Sequence, residues 1–395
     1  MKKSLLALAA MGAFAGAAQA QSSVTVYGIL DVGYINQKSD GTGTTATTTG
    51  NFSALGQSAE STSRLGFRGT EDLGGGTTAL FVLETGLNPS QTTLSTFNNR
   101  QAFAGLAQKG LGRAMIGTQN TLIHTAVGAS DPGQQNNMPG NVIYASSIAG
   151  TNGNSGTASF AQASSAGNTT DAYTIRTQNT LQVRSDNFSG FTAAAMYTYN
   201  SATTDPANAT ETKNSYTGWG LSADFNGVKN LYVVAAYQAL KSQNLSPTTT
   251  LTSPAPSPWT TAAGGTNTQD NQGYVAATYN FGLATAYLQY VTRKVEAGLN
   301  TNFFAKRTAQ QVGLRGNFTK TIEGWASWGN GKVTAYGNNQ PSANFVGWQV
   351  GSNYWLSKRT NLYGIYGANN LSSSSASSNV PVNTTAFAFG VRHTF

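Results

Sequence analysis

Apolar and polar residues alternate with a period of two along most of the chain. The alternating segments run about ten residues each and are separated by clusters of Gly, Asn and Ser. The last segment is the clearest: Phe387, Phe389, Val391, His393 and Phe395 alternate with Ala388, Gly390, Arg392 and Thr394. Leu181 and Val183 alternate with Gln182 and Arg184, and Val312 and Leu314 with Gln311, Gly313 and Arg315. One face of each segment is apolar or aromatic; the other is small, polar or basic. Short connections near 71–76, 108–112, 185–190, 226–230, 280–282, 317–320 and 356–360 alternate with long ones over about 36–61, 88–98, 121–171, 201–215, 242–270, 296–306, 332–344 and 371–384. That alternation predicts an all-β fold of about sixteen antiparallel strands with every long connection at one end.

A sandwich has no reason to sort its loops by length, whereas a barrel threaded through a membrane from one side does. Closure leaves no unpaired edge in lipid, and sixteen strands enclose a water-filled lumen where eight would be filled by side chains. The expected fold is therefore a 16-stranded antiparallel transmembrane β-barrel. Parity gives an internal check, because an Arg facing lipid at mid-bilayer would cost about 2–4 kcal/mol. In Ser63-Arg64-Leu65-Gly66-Phe67-Arg68, Arg64 and Arg68 oppose Leu65 and Phe67, as a lumen-facing pair must.

The first residues depart from this pattern. Lys2 and Lys3, the apolar run Leu5 to Ala18 and the small-x-small site Ala18-Gln19-Ala20 form a secretory signal peptide over 1–20, leaving 21–395 as the barrel. No other segment approaches the ~18 consecutive apolar residues of a membrane-spanning helix.

Composition then narrows the chemistry. Only 10% of the 395 residues are charged, yet 39% are hydrophobic and 10% aromatic. Lipid outside and water within account for that mixture. With no Cys and only His124 and His393, no metal site, thiol chemistry or His-dependent catalytic set is expected, so neither an enzyme nor a cofactor is. Loss of Lys2 and Lys3 with the signal lowers the formal charge from +8 to +6, and no basic cluster points to nucleic acid.

In this order the residues resemble the general diffusion porins, the trimeric outer-membrane channels of Gram-negative bacteria, particularly those of β-proteobacteria. Ser23-Val24-Thr25-Val26-Tyr27-Gly28, Ser63 through Gly74, Arg100-Gln101-Ala102-Phe103-Ala104-Gly105-Leu106, Asn187-Phe188-Ser189-Gly190-Phe191, Leu356-Ser357-Lys358-Arg359-Thr360 and the ending Gly390-Val391-Arg392-His393-Thr394-Phe395 carry the likeness over essentially the whole chain. It implies a homotrimer in the outer membrane, in contact with lipid and lipopolysaccharide, that passes small anionic or neutral solutes. It also implies that the terminal Phe395 is a signal to the outer-membrane assembly machinery.

The resemblance further implies that the third long loop, about 121–171, folds into the barrel and narrows the pore, with a short helix over Thr121 to Gly128. Across from it such porins place an Arg ladder, whose matches here are Arg64, Arg100 and, less closely, Arg176. Arg68 is a further lumen charge, and the acids Asp31, Glu84 and Asp131 either tune conductance or pair with the arginines. Two departures from the family matter. The loop holds only Asp131 and Asp171 as acids where enteric relatives have several, and Gln134-Gln135-Asn136-Asn137-Met138-Pro139-Gly140 is amide-rich. The field across the pore is then one-sided and positive, which predicts anion preference. Gly117-Thr118-Gln119 also replaces the family's Gly-Arg-Gln, and 88–98 has no acid, so any trimer must rest mainly on apolar wall contacts. A general diffusion pore and a channel with a binding track for organic anions or sugars both remain open at this point.

Overall fold

The computed structural model describes residues 23–42, 47–95, 97, 99–143, 175–204, 212–245, 266–297, 304–336, 343–373 and 382–395. The expected signal segment and the later part of the third loop, Asp171 included, lie outside the described residues. Among the described residues, seventeen strand segments and one helix follow in chain order: β1 (Ser23–Thr42), β2 (Thr47–Gln57), β3 (Arg64–Gly74), β4 (Thr77–Gly86), β5 (Asn99–Gln108), β6 (Gly112–Asn120), α1 (Leu122–Ser130), β7 (Arg176–Ser185), β8 (Phe191–Thr204), β9 (Thr212–Phe225), β10 (Leu231–Leu245), β11 (Thr266–Asn280), β12 (Ala284–Ala297), β13 (Phe304–Asn317), β14 (Ile322–Tyr336), β15 (Ala343–Trp355), β16 (Thr360–Ser373) and β17 (Val382–Thr394).

Apart from β2 and β3, which both pair with β1, each strand pairs antiparallel with its chain neighbours, and β17 closes onto β1 in a register running from Ile29 opposite Thr394 to Gly41 opposite Val382. The seventeen segments fill sixteen positions. Ser23 to Ile29 of β1 pair with β3, while Val32 to Thr42 pair with β2, so β2 and β3 lie end to end along one neighbour. The 16-stranded antiparallel barrel expected from the alternation is the fold observed. At the join, the Asp31 carboxylate accepts the Glu60 and Ser61 backbone N–H groups at 2.9 and 2.6 Å, and the Tyr363 hydroxyl at 2.6 Å. A buried carboxylate with three donors tolerates desolvation that an unpaired one would not.

The short connections are as expected; Gly74, Gly75 and Gly76, with φ of 82°, 61° and 79°, turn β3 into β4 in a conformation that strains other residues. The long connections are shorter than the alternation predicts. Over 36–61, strand continues to Thr42 and resumes at Thr47, and β8 through β17 likewise extend into regions expected to be loop. Above the membrane both faces of a strand meet water, so pairing persists after the apolar–polar alternation has ended.

Outward positions carry the apolar belt: Leu83, Leu106, Ile116, Leu221, Leu288 and Trp348 are all exposed on that face. The inner face is not uniformly polar, contrary to the simple two-solvent pattern. Val234, Ala236, Tyr274, Ala276, Val291 and Val295 point inward from β10, β11 and β12 and are buried, because the third loop lies on them.

Candidate functional site: the pore constriction

The third loop leaves β6 at Asn120 and turns at once into α1 inside the barrel. The Thr121 hydroxyl caps the helix by accepting the His124 N–H at 3.4 Å. The helix is apolar: Ile123, Ala126 and Val127, with Val142 and Ile143 further along, pack on the inward apolar side chains of β10 to β12 and on Phe345. Leu122 packs on Ala194, Met196, Tyr216 and Leu240. Beyond the helix, residues 131–143 cross the inner face of β13 to β16 in a series of turns, with Gln134 and Gln135 at φ of 53° and 57°. The described part of the loop thus lies along one side of the lumen, as the resemblance implied, and the helix runs to Ser130, two residues further than expected.

The path is built of two things that the alternation does not reveal. Buried glutamines on successive strands form a belt: Gln238 donates to Gln272 at 2.9 Å, and Gln311 donates to Gln289 at 2.9 Å. They also hold the loop backbone. Gln238 Oε1 faces the Ile123 N–H, Gln311 Oε1 accepts from Val142 N–H at 3.0 Å, and Gln349 donates to the Pro139 carbonyl at 2.9 Å while accepting from Asn136 at 2.6 Å. Arg307 and Arg315 donate to the Val142 and Pro132 carbonyls at 2.7 and 2.8 Å. The second element is a track of inward glycines, Gly313, Gly329, Gly347 and Gly367, whose absent side chains leave room for the loop. A Gln at the inward parity of one strand after another was the available signal, and it passed as ordinary lumen polarity.

Facing the loop, Arg64 lies at the start of β3, Arg100 on β5 at a register shift and Arg176 at the start of β7. The structure brings all three near His124, whose Nδ1 donates to the Ile175 carbonyl at 3.1 Å. Burial, then the Arg176, Arg100 and Arg64 guanidiniums, push the imidazole down to about 3, so it is neutral at physiological pH. Glu84 sits between two of the arginines: Arg100 Nε bonds it at 2.6 Å and Arg64 Nη1 lies 4.0 Å away. The Tyr27 hydroxyl takes the other oxygen at 3.1 Å. Three guanidiniums against one carboxylate leave the wall positive.

Asp131, expected as a lumen charge, is turned away from the water. It is 2% exposed and accepts the Gln135 N–H at 2.6 Å and the Asn141 amide at 2.7 Å. Burial raises its pKa against those hydrogen bonds, so it offers the pore no open carboxylate. Arg68, two pleat repeats along β3 from Arg64, is exposed and lies over the Tyr27 ring at 5.3 Å. Phe395 exchanges backbone hydrogen bonds with Gly28 at 3.0 and 3.1 Å, where β17 meets β1. Among the described residues no three acidic or His side chains come together as a metal site.

Comparison with known proteins agrees with this geometry. Residues 7–374 match the profile of the family described as Gram-negative porin. The chain is 29% identical to an outer membrane porin protein of Bordetella pertussis over the whole of both chains. To outer membrane porin protein 32 of Delftia acidovorans it is 30% identical, over 79% of this chain and 77% of that one. Among solved structures, the anion-selective porin from Comamonas acidovorans superposes with a TM-score of 0.65 at 20% identity, covering 95% of this chain and 100% of that one. The trimer form of OmpT from Vibrio cholerae gives 0.58 at 13% identity, covering 95% and 99%.

Proposed function

The chain belongs to the Gram-negative porin family, and from that premise we propose that this outer-membrane channel passes small hydrophilic solutes by diffusion, with a preference for anions. One observation carries the preference. The wall bearing Arg64, Arg100 and Arg176 faces a loop segment, 121–143, whose single acid is buried in its own hydrogen bonds. Cations meet positive charge with no compensating carboxylate across the pore, while anions are concentrated there. Glu84 weakens the field without cancelling it. The similar Comamonas structure, that of an anion-selective porin, points the same way.

Reversal potential in a salt gradient across a planar bilayer tests this reading. The native channel should read as anion-selective, and the double substitution Arg64→Gln with Arg100→Gln should shift it toward cations. A cation-selective native channel would overturn the assignment.

The same reading includes a homotrimer held by apolar outer-wall contacts, with Phe395 as the assembly signal and lipopolysaccharide around the outer rim. The exposed apolar belt supports it, as does the trimer form of the structurally similar Vibrio protein. Residues 1–20 are read as the export signal, which N-terminal sequencing of the mature protein checks.

A further inference from the structure

On the short-turn side of the constriction, the inner wall carries apolar side chains that stay half-exposed to a cavity beneath α1. Leu80 and Val82 of β4 and Phe103 of β5 point into a cavity of about 620 Å³ and are half-buried, with Met115 of β6 behind them. Val82 and Phe103 are register partners, and Leu80 and Met115 both flank Gly105 in the next row, so Leu80, Val82 and Phe103 form one half-buried patch backed by the buried Met115. This differs from the inner wall of β10 to β12, where α1 with Val142 and Ile143 buries Val234, Ala236, Tyr274, Ala276, Val291 and Val295. In a lumen filled only with water, an open patch of this kind is unfavourable.

The patch is bracketed by cations. Arg68 pairs in register with Val82 at one edge. Arg113 and Arg184 are opposite one another at the other edge, and all three line the same cavity. Arg184 is held by Asp224 at 2.9 Å, while among the described residues no ion pair engages Arg68 or Arg113. Leu122 and Thr125 of α1 form the roof.

We propose that this cavity is a binding subsite for small aromatic carboxylates, met by a solute after it passes the arginine wall. The guanidiniums take the carboxylate, and Phe103, Val82 and Leu80 take the ring, which prefers an offset arrangement against another aromatic face. The proposal rests on the anion-channel reading and adds to it a preference by shape among anions of equal charge.

The test compares benzoate with acetate, and benzamide as the uncharged ring, in single-channel recordings of the full-length protein. Benzoate added on the short-turn side should interrupt the chloride current at concentrations about tenfold below those at which acetate does. Phe103→Ser, and separately Arg113→Gln, should abolish that difference while chloride current persists. Equal effects of benzoate and acetate on a conducting, anion-selective channel would overturn the subsite and leave the anion reading intact. Equal block by benzamide and benzoate would overturn the role of the guanidiniums. A native protein without anion-selective conductance would instead sink the reading on which the subsite rests. The wild-type comparison decides the matter even if a variant fails to assemble.

Discussion

At Gly367 a side chain as small as that of Ala would place its Cβ against the Pro139 carbonyl oxygen, and at Gly347 it would lie 2.7 Å from that of Gly140. At Gly367 the obstacle is backbone, which cannot swing aside as a flexible side chain can, whereas at Gly347 the Asn369 side chain is nearer still, at 2.5 Å. Gly367→Ala should therefore displace the loop from β16 at a cost of about 1–3 kcal/mol, the usual scale of overpacking. A changed single-channel conductance with the barrel's circular dichroism unaltered is the expected result. His124 makes a different prediction. Its pKa is about 3 in the folded loop against an ordinary 6.5, so between those values the unfolded loop binds a proton that the folded loop refuses. The stability of the loop is thus intact above about 6.5 and is lost progressively as the pH falls toward 3. Measuring protease resistance of the loop against pH should show this decline, and His124→Gln, with no group to protonate there, should flatten it.

The third loop behaves as an element of the wall. Gln349 alone bonds to Asn136 and to the Met138 and Pro139 carbonyls, and it accepts the Trp325 indole N–H at 3.1 Å. Gln349→Ala leaves several buried groups unpaired at about 1–3 kcal/mol each in a dry interior, but lumen water can reach some of them, so a total near 1–3 kcal/mol is expected. The measurable outcome is a noisier open-channel current and faster cleavage of the loop, with the barrel melting unchanged. Much of this element was legible beforehand: its place after the fifth strand position, its inward fold and its helix follow from the resemblance. Its seat was not. Val234, Ala236 and Leu240 on β10 join outward Val233 and Ala235 to make an almost continuous apolar run, the pattern of a strand covered on both faces. Under a two-solvent rule that run is only a hydrophobic strand; judged for coverage, it marks where the loop must lie. Asp131 was misjudged for a related reason, since a sequence shows that an acid is present but not that Gln135 and Asn141 enclose it.

For the whole molecule, the strand count was recoverable because closure leaves a periodic imprint on nearly every residue, while the electrostatic character of the pore depends on where a few charges end up. Arg64, Arg100 and Arg176 come from three separate strands and converge only in the closed barrel, with Glu84 beside two of them. If their summed field selects anions, selectivity must depend on ionic strength. The screening length is about 10 Å at 0.1 M salt and about 3 Å at 1 M. At the lower salt the field of the wall reaches well into the lumen water, whereas at the higher salt it hardly extends beyond the guanidiniums themselves. The anion-to-cation permeability ratio, measured from reversal potentials at a fixed gradient ratio, should therefore fall as mean salt rises from about 0.1 to about 1 M. Arg64→Gln with Arg100→Gln should start lower and change less over the same range. A ratio that stays constant in the native channel would mean that anions are chosen by direct contact within the screening length, which would move the origin of selectivity from the long-range field to binding at individual guanidiniums.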